Sequence, residues 1–259
     1  MILDEIAEYT KERVRALKAH KSLYAVRDEA EGRPQGKDFR AALAAPGLSV
    51  IAELKKASPS KGIIAPDFTD IYLRKSAEYE EGGAAAISCL TEPKFFQGSD
   101  AYLQAVRQRV ELPLLRKDFT LDEYQIYEAK CIGADAVLLI CSLLSAAQLG
   151  EYLAQVQELG LSALVEAHTA GEVQMALAAG AEIIGVNNRN LKDFSVNPVN
   201  SLRLRDAIPA SKIFVAESGI QCAADAKALK QAGVQAVLVG EALMRSADAA
   251  AMLKEMRDA

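Results

Sequence analysis

Residues 132–140 read Ile-Gly-Ala-Asp-Ala-Val-Leu-Leu-Ile, and this stretch carries the pattern that decides the fold. Its glycine, Gly133, directly follows an amphipathic run, where a left-handed backbone conformation can stop a helix. The continuous apolar run 136–140 is typical of a parallel strand that is covered on both faces. The stretch therefore predicts a helix, a glycine stop and a buried strand.

The same order of helix, glycine and strand recurs along the chain. Gly83, Gly180 and Gly233 each separate an amphipathic run from a short apolar run, which is typical of repeated βα units. We predict strands at 49–54, 84–90, 112–117, 136–140, 162–166, 183–187, 213–217 and 236–239. We predict helices near 69–81, 99–109, 121–132, 145–159, 170–179, 199–206, 223–232 and 248–256.

Eight strands that alternate with eight helices predict an α/β fold, a closed parallel (β/α)8 TIM barrel. The chain length of 259 residues fits the usual size of such a barrel, about 250 residues. A doubly wound open sheet is the main alternative. It is disfavoured because GxGxxG and GxxxxGK do not occur, and Gly36-Lys37 follows Gly32 at the wrong spacing. We expect residues 1–259 to form a single barrel domain.

Residues 1–45 differ from the rest of the chain because they are dense in charge. We predict that they form one or two extra helices before the barrel. Such a segment usually caps a barrel end, and a partner-binding helix is the alternative. The apolar residues that recur there at helical spacing are Ile2, Leu3, Ile6, Val14 and Leu17.

Composition and charge exclude several classes of protein. The chain is 51% hydrophobic and 25% charged, which fits a folded globular protein. Its net charge of -5 argues against nucleic acid as a partner. The four cysteines have no CxxC spacing, so we expect no zinc site and reduced thiols, with Cys131 and Cys141 buried. The N-terminal residues lack the apolar core of a signal peptide, and no apolar run is long enough to span a membrane. We expect a cytoplasmic protein without a membrane or metal partner.

Polar residues gather at the ends of the predicted strands, where a βα barrel carries its chemistry. Glu53 and Lys55 are two residues apart, so on an extended strand both point to the same side. Opposite charges on an apolar strand are costly unless they are paired or take part in chemistry. Lysines and glutamates in a barrel mouth can shift one another's pKa, as general acid and base catalysis requires. The other polar strand ends are Arg116-Lys117-Asp118, Glu166 with His168, Asn187-Asn188-Arg189, Glu217-Ser218 and Glu241.

Two of these strand ends predict a phosphate site. Ser218-Gly219 and Gly240-Glu241 follow the seventh and eighth strands, where barrels of this type frequently bind phosphate through backbone N–H groups. The Glu241 carboxylate would have to point away from a phosphate held by its own N–H group. His168 lies two residues beyond Glu166, and we interpret it as a loop or helix-start histidine and not as a catalytic base.

Six motifs give the chain a resemblance to a known family. In order, they are Glu-Leu-Lys-Lys-Ala-Ser-Pro-Ser-Lys-Gly (53–62), Leu-Thr-Glu-Pro-Lys-Phe-Phe-Gln-Gly-Ser (90–99), Leu-Arg-Lys-Asp-Phe (115–119), Leu-Val-Glu-Ala-His (164–168), Asn-Asn-Arg-Asn-Leu (187–191) and Ala-Glu-Ser-Gly-Ile (216–220). The chain resembles indole-3-glycerol phosphate synthase through the whole predicted barrel, and its N-terminal extension resembles the extra helices of that family. The resemblance implies ring closure of 1-(2-carboxyphenylamino)-1-deoxyribulose 5-phosphate, with loss of carbon dioxide and water, in tryptophan biosynthesis. It implies no cofactor.

The resemblance also implies roles for individual residues. Lys117 would protonate the ribulose carbonyl, Glu166 would act as the base, and either Lys117 or Lys55 would supply the second acid. Glu53 would orient the lysines, and Asn187 would bind the ribulose hydroxyls. Arg189 would position the hydroxyl contacts, and Lys55 would also hold an anionic end of the substrate. The residues implied in catalysis are Glu53, Lys55, Lys117, Glu166, Asn187 and Ser218. Those implied in substrate binding are Ser58, Phe96, Phe119, Leu138, Arg189, Gly219, Ile220, Leu238, Gly240 and Glu241.

One position departs from the family pattern, because some members have a small residue where this chain has Glu241. Two other functions stay open: another phosphosugar barrel such as phosphoribosylanthranilate isomerase, and a ligand-binding barrel without turnover. The isomerase typically uses a Cys or Asp pair, whereas these strand ends offer Lys117 and Glu166. The expected partner is a small phosphorylated substrate, and we expect a monomer, with a weak dimer as the alternative. The loop Ser58 to Gly62 is expected to be a lid, and the mobility of the stretch Ser58 to Pro66 stays open.

Overall fold

Eight parallel strands close into a barrel in a computed structural model that describes residues 2–190 and 194–259. Their spatial order is β1-β8-β7-β6-β5-β4-β3-β2, so that β1 pairs with both β8 and β2. Ser49 lies opposite Ala236, and Ile51 lies opposite Ala86. The strands are β1 (Ser49–Leu54), β2 (Ala86–Leu90), β3 (Leu114–Lys117), β4 (Ala136–Ile140), β5 (Ser162–Ala167), β6 (Ile183–Asn187), β7 (Ile213–Glu217) and β8 (Ala236–Val239).

The predicted closed barrel is confirmed, and the strand bounds differ from the predicted ones by at most two residues. β2 begins at Ala86 and not at Ala84, because the Ala84 N–H group still donates to the Tyr79 carbonyl of the preceding helix, at 2.9 Å. Gly83 has a φ of 77°, so the chain leaves that helix through a left-handed glycine as the sequence indicated.

Twelve α-helices are found in the described part of the chain. The eight predicted helices correspond to α4–α10 and α12. The prediction of one or two N-terminal helices was too low, since α1–α3 all precede β1, and α11 was not predicted. The helices are α1 (Ile2–His20), α2 (Leu23–Glu31), α3 (Phe39–Leu43), α4 (Phe68–Glu81), α5 (Asp100–Arg107), α6 (Glu123–Cys131), α7 (Ala146–Glu158), α8 (Ala170–Ala178), α9 (Val199–Leu204), α10 (Ala223–Gln231), α11 (Glu241–Arg245) and α12 (Ala249–Asp258).

Two hydrophobic clusters lie on the two sides of the strands. Alternate strand residues point to opposite faces, so each strand supplies both clusters. The inner cluster fills the barrel, and the outer cluster joins the strands to the surrounding helices. Inner residues include Ile51, Leu115, Leu138, Leu164 and Val215. Outer residues include Val50, Ile87, Leu139, Val165 and Phe214.

The N-terminal helices contact both ends of the barrel. Phe39 and Leu43 of α3 are fully buried in the inner cluster, and the Ser49 hydroxyl at the start of β1 donates to the Leu43 carbonyl at 3.2 Å. Arg13 of α1 bonds Asp118 at the carboxyl end of β3, with 2.7 Å between Nη2 and Oδ1. The extension therefore covers the amino end through α3, as the capping prediction expects, and also braces the opposite rim through α1.

All four cysteines are free thiols. Cys141 is buried, as is Cys89, whereas Cys131 is only half-buried and Cys222 is exposed. The expectation of burial was therefore right for Cys141 and wrong for Cys131, which lies on the outer side of α6 toward α2. Among the helices of residues 2–190 and 194–259, none has the length and apolar character to span a membrane.

Candidate active site

A cavity of about 860 Å³ opens at the carboxyl ends of the strands. All sixteen residues that the sequence analysis proposed for the site line it, so the structure brings the whole set together. They are Glu53, Lys55, Ser58, Phe96, Lys117, Phe119, Leu138, Glu166, Asn187, Arg189, Ser218, Gly219, Ile220, Leu238, Gly240 and Glu241. Leu191, the last residue of the fifth motif, lies outside the described residues.

A lysine between two glutamates forms the floor of the cavity. Lys117 ends β3, and its Nζ lies 3.4 Å from Glu166 Oε2 of β5 and 3.5 Å from Glu217 Oε2 of β7. Both carboxylates are almost completely buried, with side chains 2% exposed. Gly185 of β6 makes room for this group, because a Cβ atom there would lie 2.2 Å from Glu217 Oε1. The barrel interior therefore holds three ionisable groups in direct contact.

The surroundings give these three groups different pKa values. Burial alone would lower the pKa of Lys117, but the Glu217, Glu166 and Glu53 carboxylates outweigh it and raise that pKa. Burial would raise the pKa of Glu166, but Lys117, His168 and the Asn187 amide hold it below its ordinary value. Burial raises the pKa of Glu217 to about 7, against the attraction of Lys117 and with the help of the other carboxylates. At neutral pH the site thus offers an ammonium donor, an ionised carboxylate and a carboxyl that titrates.

A second ion pair lies on the wall formed by β1 and β8. Lys55 and Glu53 are paired through Nζ and Oε1, as expected from their spacing of two residues. The Ser88 hydroxyl lies 3.5 Å from Glu53 Oε2. A Cβ atom at Gly240 would lie 2.5 Å from Glu53 Oε1 and 3.1 Å from Lys55 Nζ. The glycine at the end of β8 therefore leaves space for the pair in its observed position, a packing role that the sequence did not indicate.

His168 occupies the loop between β5 and α8, where the sequence analysis placed it. Its Nε2 lies 3.5 Å from Glu166 Oε1, and its Nδ1 lies 3.7 Å from Glu172 Oε2. Burial would lower the pKa of His168, but Glu172 and Glu166 raise it. The sequence interpretation missed this contact, which places the His168 imidazole beside Glu166 Oε1, whereas Lys117 lies beside Oε2.

Asn187 and Arg189 follow β6. The Arg189 backbone N–H donates to Asn187 Oδ1 at 2.9 Å, and the Arg189 guanidinium donates to the Phe194 carbonyl at 3.1 Å. Asn187 is buried. The Arg189 backbone therefore helps to orient the Asn187 side chain toward the cavity, while its own side chain holds the following loop.

The rim on the side of β7 and β8 carries the expected phosphate loops. Ser218 has a φ of 67° and Gly219 has a φ of 83°, so the backbone of both residues lies in the left-handed region. The Glu241 carboxylate accepts a bond from Arg245 Nε at 3.1 Å and lies 4.0 Å from Lys61 Nζ. The Glu241 side chain is thus partnered by two cations of the cavity wall.

Comparison with known proteins shows the family of the chain. Residues 3–256 match the sequence profile of the family described as "Indole-3-glycerol phosphate synthase". The chain belongs to this family. It is 52% identical to the "Indole-3-glycerol phosphate synthase" of Endomicrobium trichonymphae, over 100% of both chains, and 52% identical to that of Ruminiclostridium cellulolyticum, over 99% of both.

Solved structures support the fold of this indole-3-glycerol phosphate synthase family member. A 3-hexulose-6-phosphate synthase superposes with a TM-score of 0.63 at 20% identity, covering 82% of this chain and 99% of that chain. Thiamine phosphate pyrophosphorylase from Pyrococcus furiosus gives a TM-score of 0.62 at 17% identity, covering 85% and 96%. At these identities the likeness concerns the barrel alone.

An apolar wall faces the ion pairs in this indole-3-glycerol phosphate synthase family member. The rings of Phe96 and Phe119 lie 6.0 Å apart at 41°. Leu138, Ile220 and Leu238 complete the wall, and all three are buried, so each also packs in the protein interior. The cavity therefore has apolar residues in its lining as well as a charged floor.

The structure adds cavity residues that the sequence analysis did not assign. Glu217 is the most important, and it could have been found, since a period of two from Ile213 places it on the inner face of β7. Lys61 comes from a short hairpin, Ala57–Ser58 with Gly62–Ile63, that contains the expected lid Ser58 to Gly62; its action as a lid stays a prediction. Among residues 2–190 and 194–259, no group of three or more His, Cys, Asp or Glu side chains is arranged to hold a metal ion.

Proposed function

We propose that this chain is a carboxy-lyase that closes the indole ring of tryptophan. The substrate is 1-(2-carboxyphenylamino)-1-deoxyribulose 5-phosphate, and the products are indole-3-glycerol phosphate, carbon dioxide and water. Family membership supports the reaction. The observation that carries the proposal is the Lys117 ammonium between Glu166 and Glu217, since it supplies a proton donor and an ionised base within 3.5 Å of each other.

Ring closure begins at the ribulose carbonyl. The aromatic carbon that bears the carboxylate forms a bond to the carbonyl carbon, and the carbonyl oxygen takes a proton from Lys117 as negative charge develops on it. The carboxylate then leaves as carbon dioxide, and its bonding electrons return to the ring. When Glu217 is protonated, fewer carboxylates hold the proton on Lys117, and the ammonium becomes a better acid.

Loss of water completes the aromatic five-membered ring. Glu166 takes the proton from the intermediate, because its lowered pKa keeps it ionised at neutral pH. The hydroxyl group leaves with a proton from Lys55, or from Lys117 once Lys117 has regained a proton from water, and both lysines line the cavity. One carboxylate and one ammonium are sufficient for the step, so it needs no cofactor.

The remaining cavity residues hold the substrate in a bent conformation. The anthranilate ring lies against the Phe96 and Phe119 wall. Ser218, Gly219 and Gly240, with the Glu241 N–H group, bind the phosphate. Lys55 holds the substrate carboxylate or stands near the phosphate, and Glu53 and Asn187 bind the ribulose hydroxyls. Holding both reacting carbons together lowers the entropic part of the barrier.

We propose further that the protein acts in the cytoplasm as a monomer. Its net charge of -5 and the absence of a membrane-spanning helix among the described residues are compatible with a protein whose partner is a small phosphorylated molecule and not nucleic acid or lipid. Sedimentation of the purified protein measures the mass: a single species of 27.8 kDa is expected, and a stable larger species would contradict the monomer.

The decisive experiment supplies the purified protein with the carboxyphenylamino-deoxyribulose phosphate, without metal or nucleotide. The appearance of indole absorbance is expected, and no product from well-folded protein would reject the proposal. Lys117→Ala should lower kcat by about 10²–10⁴-fold with little change in KM, because the contact strengthens only in the transition state. Lys56→Ala is the matched control, since Lys56 adjoins the site in sequence but does not line the cavity. A rise in KM alone would make Lys117 a binding residue.

A further inference from the structure

The end of β7 holds a serine in an unfavourable backbone conformation. Ser218 has a φ of 67°, and Gly219 follows with a φ of 83°. The left-handed region suits glycine, but for a residue with a Cβ atom it costs about 1–2 kcal/mol. Such a conformation persists only where neighbouring groups fix it, so the contacts of Ser218 decide how the loop is held.

The Asn188 side chain supplies the contact that fixes Ser218. Its Nδ2 donates to the Ser218 carbonyl at 3.0 Å. Its Oδ1 accepts from the Ser201 N–H at 2.9 Å and from the Ser201 hydroxyl at 2.7 Å. Asn188 is buried, and Ser201 of α9 is fully buried. The amide therefore ties the end of β7 to a rigid position on α9.

The Asn188 backbone makes the same connection. Its N–H donates to the Glu217 carbonyl at 2.9 Å, and its carbonyl accepts from the Asn197 N–H at 2.8 Å. Ser218 and Gly219 line the cavity, whereas Asn188 does not. Asn188 thus stands behind the loop, with all four polar groups engaged, and has no direct contact with the cavity.

We infer that Asn188 is a positioning residue for the phosphate end of the substrate. Its amide holds the Ser218 carbonyl, and this fixes the left-handed pair Ser218-Gly219 so that the N–H groups of the loop are ready for the phosphate. The inference rests on the proposed function for the identity of the substrate. The orientation of the amide is essential to it: the oxygen must face Ser201 because the Ser201 backbone N–H needs an acceptor, and the nitrogen must face Ser218 because the Ser218 carbonyl needs a donor.

The test compares Asn188→Ala with Ser201→Ala. Asn188→Ala removes the bond to Ser218, whereas Ser201→Ala removes only one of the two bonds on the other side of the amide. We expect Asn188→Ala to raise the KM for the substrate and the Kd for inorganic phosphate by about tenfold, the effect of losing one positioning hydrogen bond. We expect kcat to change by less than about threefold, because the proton-transfer groups are untouched. Ser201→Ala should leave KM and the phosphate Kd within about twofold of the wild-type values.

A second variant covers the case in which Asn188→Ala does not fold. Asn188→Asp keeps the acceptor for Ser201 and loses the donor to Ser218, so it should raise KM and the phosphate Kd; its Tm is measured to separate this loss from the cost of a buried carboxylate. Equal increases in KM for Asn188→Ala and Ser201→Ala would overturn the inference, as would a folded Asn188 variant with unchanged KM and phosphate Kd. Calorimetric titration with inorganic phosphate needs no turnover. Wild-type protein that binds phosphate without making product, and an Asn188 variant that loses this binding, would refute the proposed reaction and support the role of Asn188.

Discussion

Replacing Glu217 by Gln gives the sharpest test of the buried charges. Glu217 has a side chain 2% exposed, and burial raises its pKa from 4.5 to about 7. Each tenfold change in proton affinity corresponds to about 1.4 kcal/mol, so the shift corresponds to about 3 kcal/mol of folding free energy. Gln has nearly the same shape and does not titrate, so the difference between the two proteins reports the Glu217 carboxyl together with its coupling to Lys117 and Glu166.

The sign follows from proton binding in the two states. Below pH 4.5 the carboxyl is protonated in both the folded and the unfolded protein, and it costs no stability. Between pH 4.5 and about 7 the unfolded chain loses the proton while the folded protein keeps it, so the folded state becomes less stable as the pH rises. Above about pH 7 the full cost is present. The stability of wild type relative to Glu217→Gln should therefore fall by about 3 kcal/mol from pH 4.5 to pH 8.

Equilibrium unfolding in urea at a series of pH values measures this difference. Glu151→Gln is the control, because Glu151 is exposed on α7, and its difference from wild type should not vary by more than about 0.5 kcal/mol. A Glu217→Gln difference that stays constant across the same range would refute the reasoning, since it would mean that Glu217 keeps one protonation state from pH 4.5 to pH 8.

Three further substitutions test the packing around the site. Gly185→Ala should lower kcat by at least about tenfold without unfolding the protein, because its Cβ would lie 2.2 Å from Glu217 Oε1 and displace the Glu217 carboxylate. A variant with the wild-type kcat would contradict this close approach. Gly150→Ala should raise the free energy of unfolding by about 0.5–1 kcal/mol, because Gly150 lies in the interior of α7 and no atom lies within 4 Å of the new Cβ. A lower free energy of unfolding, measured in urea, would show that position 150 is crowded. Arg13→Met should lower the free energy of unfolding by about 2–3 kcal/mol, because it leaves the buried Asp118 carboxylate without its 2.7 Å partner. An unchanged free energy of unfolding would show that the remaining hydrogen bonds of Asp118 satisfy the buried carboxylate.

Much of the fold could be predicted because each strand is covered on both sides. The run 136–140 is apolar throughout, and the structure places Leu138 inside the barrel and Leu139 under the helices. Glycine stops such as Gly83 marked the helix ends, since a left-handed residue is required there. The helix α11, at Glu241–Arg245, was missed because its 5 residues are too few to show a helical period.

The candidate site could be predicted as a set, but its internal contacts could not. The carboxyl ends of parallel strands meet at one rim, so Glu53, Lys117 and Glu166 were expected to be neighbours. Which groups touch depends on the stagger of the strands around the barrel, and no sequence period specifies that stagger. The contact of Lys117 with Glu217 depends on this stagger, and so does the contact of His168 with Glu166. Neither contact could be predicted from the sequence. The roles of the individual residues were implied by family resemblance and stay proposals.

The pairing of β1 with β8 has a consequence for how the protein folds. The strand that carries Glu53, and that Lys55 follows, is the first of the eight to leave the ribosome, and Gly240, which packs against both side chains, follows the last. Until β8 docks, β1 and β7 are open sheet edges that can pair with other chains. The cavity wall is therefore completed only by the final closing event of folding. During refolding, enzymatic activity should return later than the helical circular dichroism signal. The rate at which activity returns would then measure the rate of barrel closure.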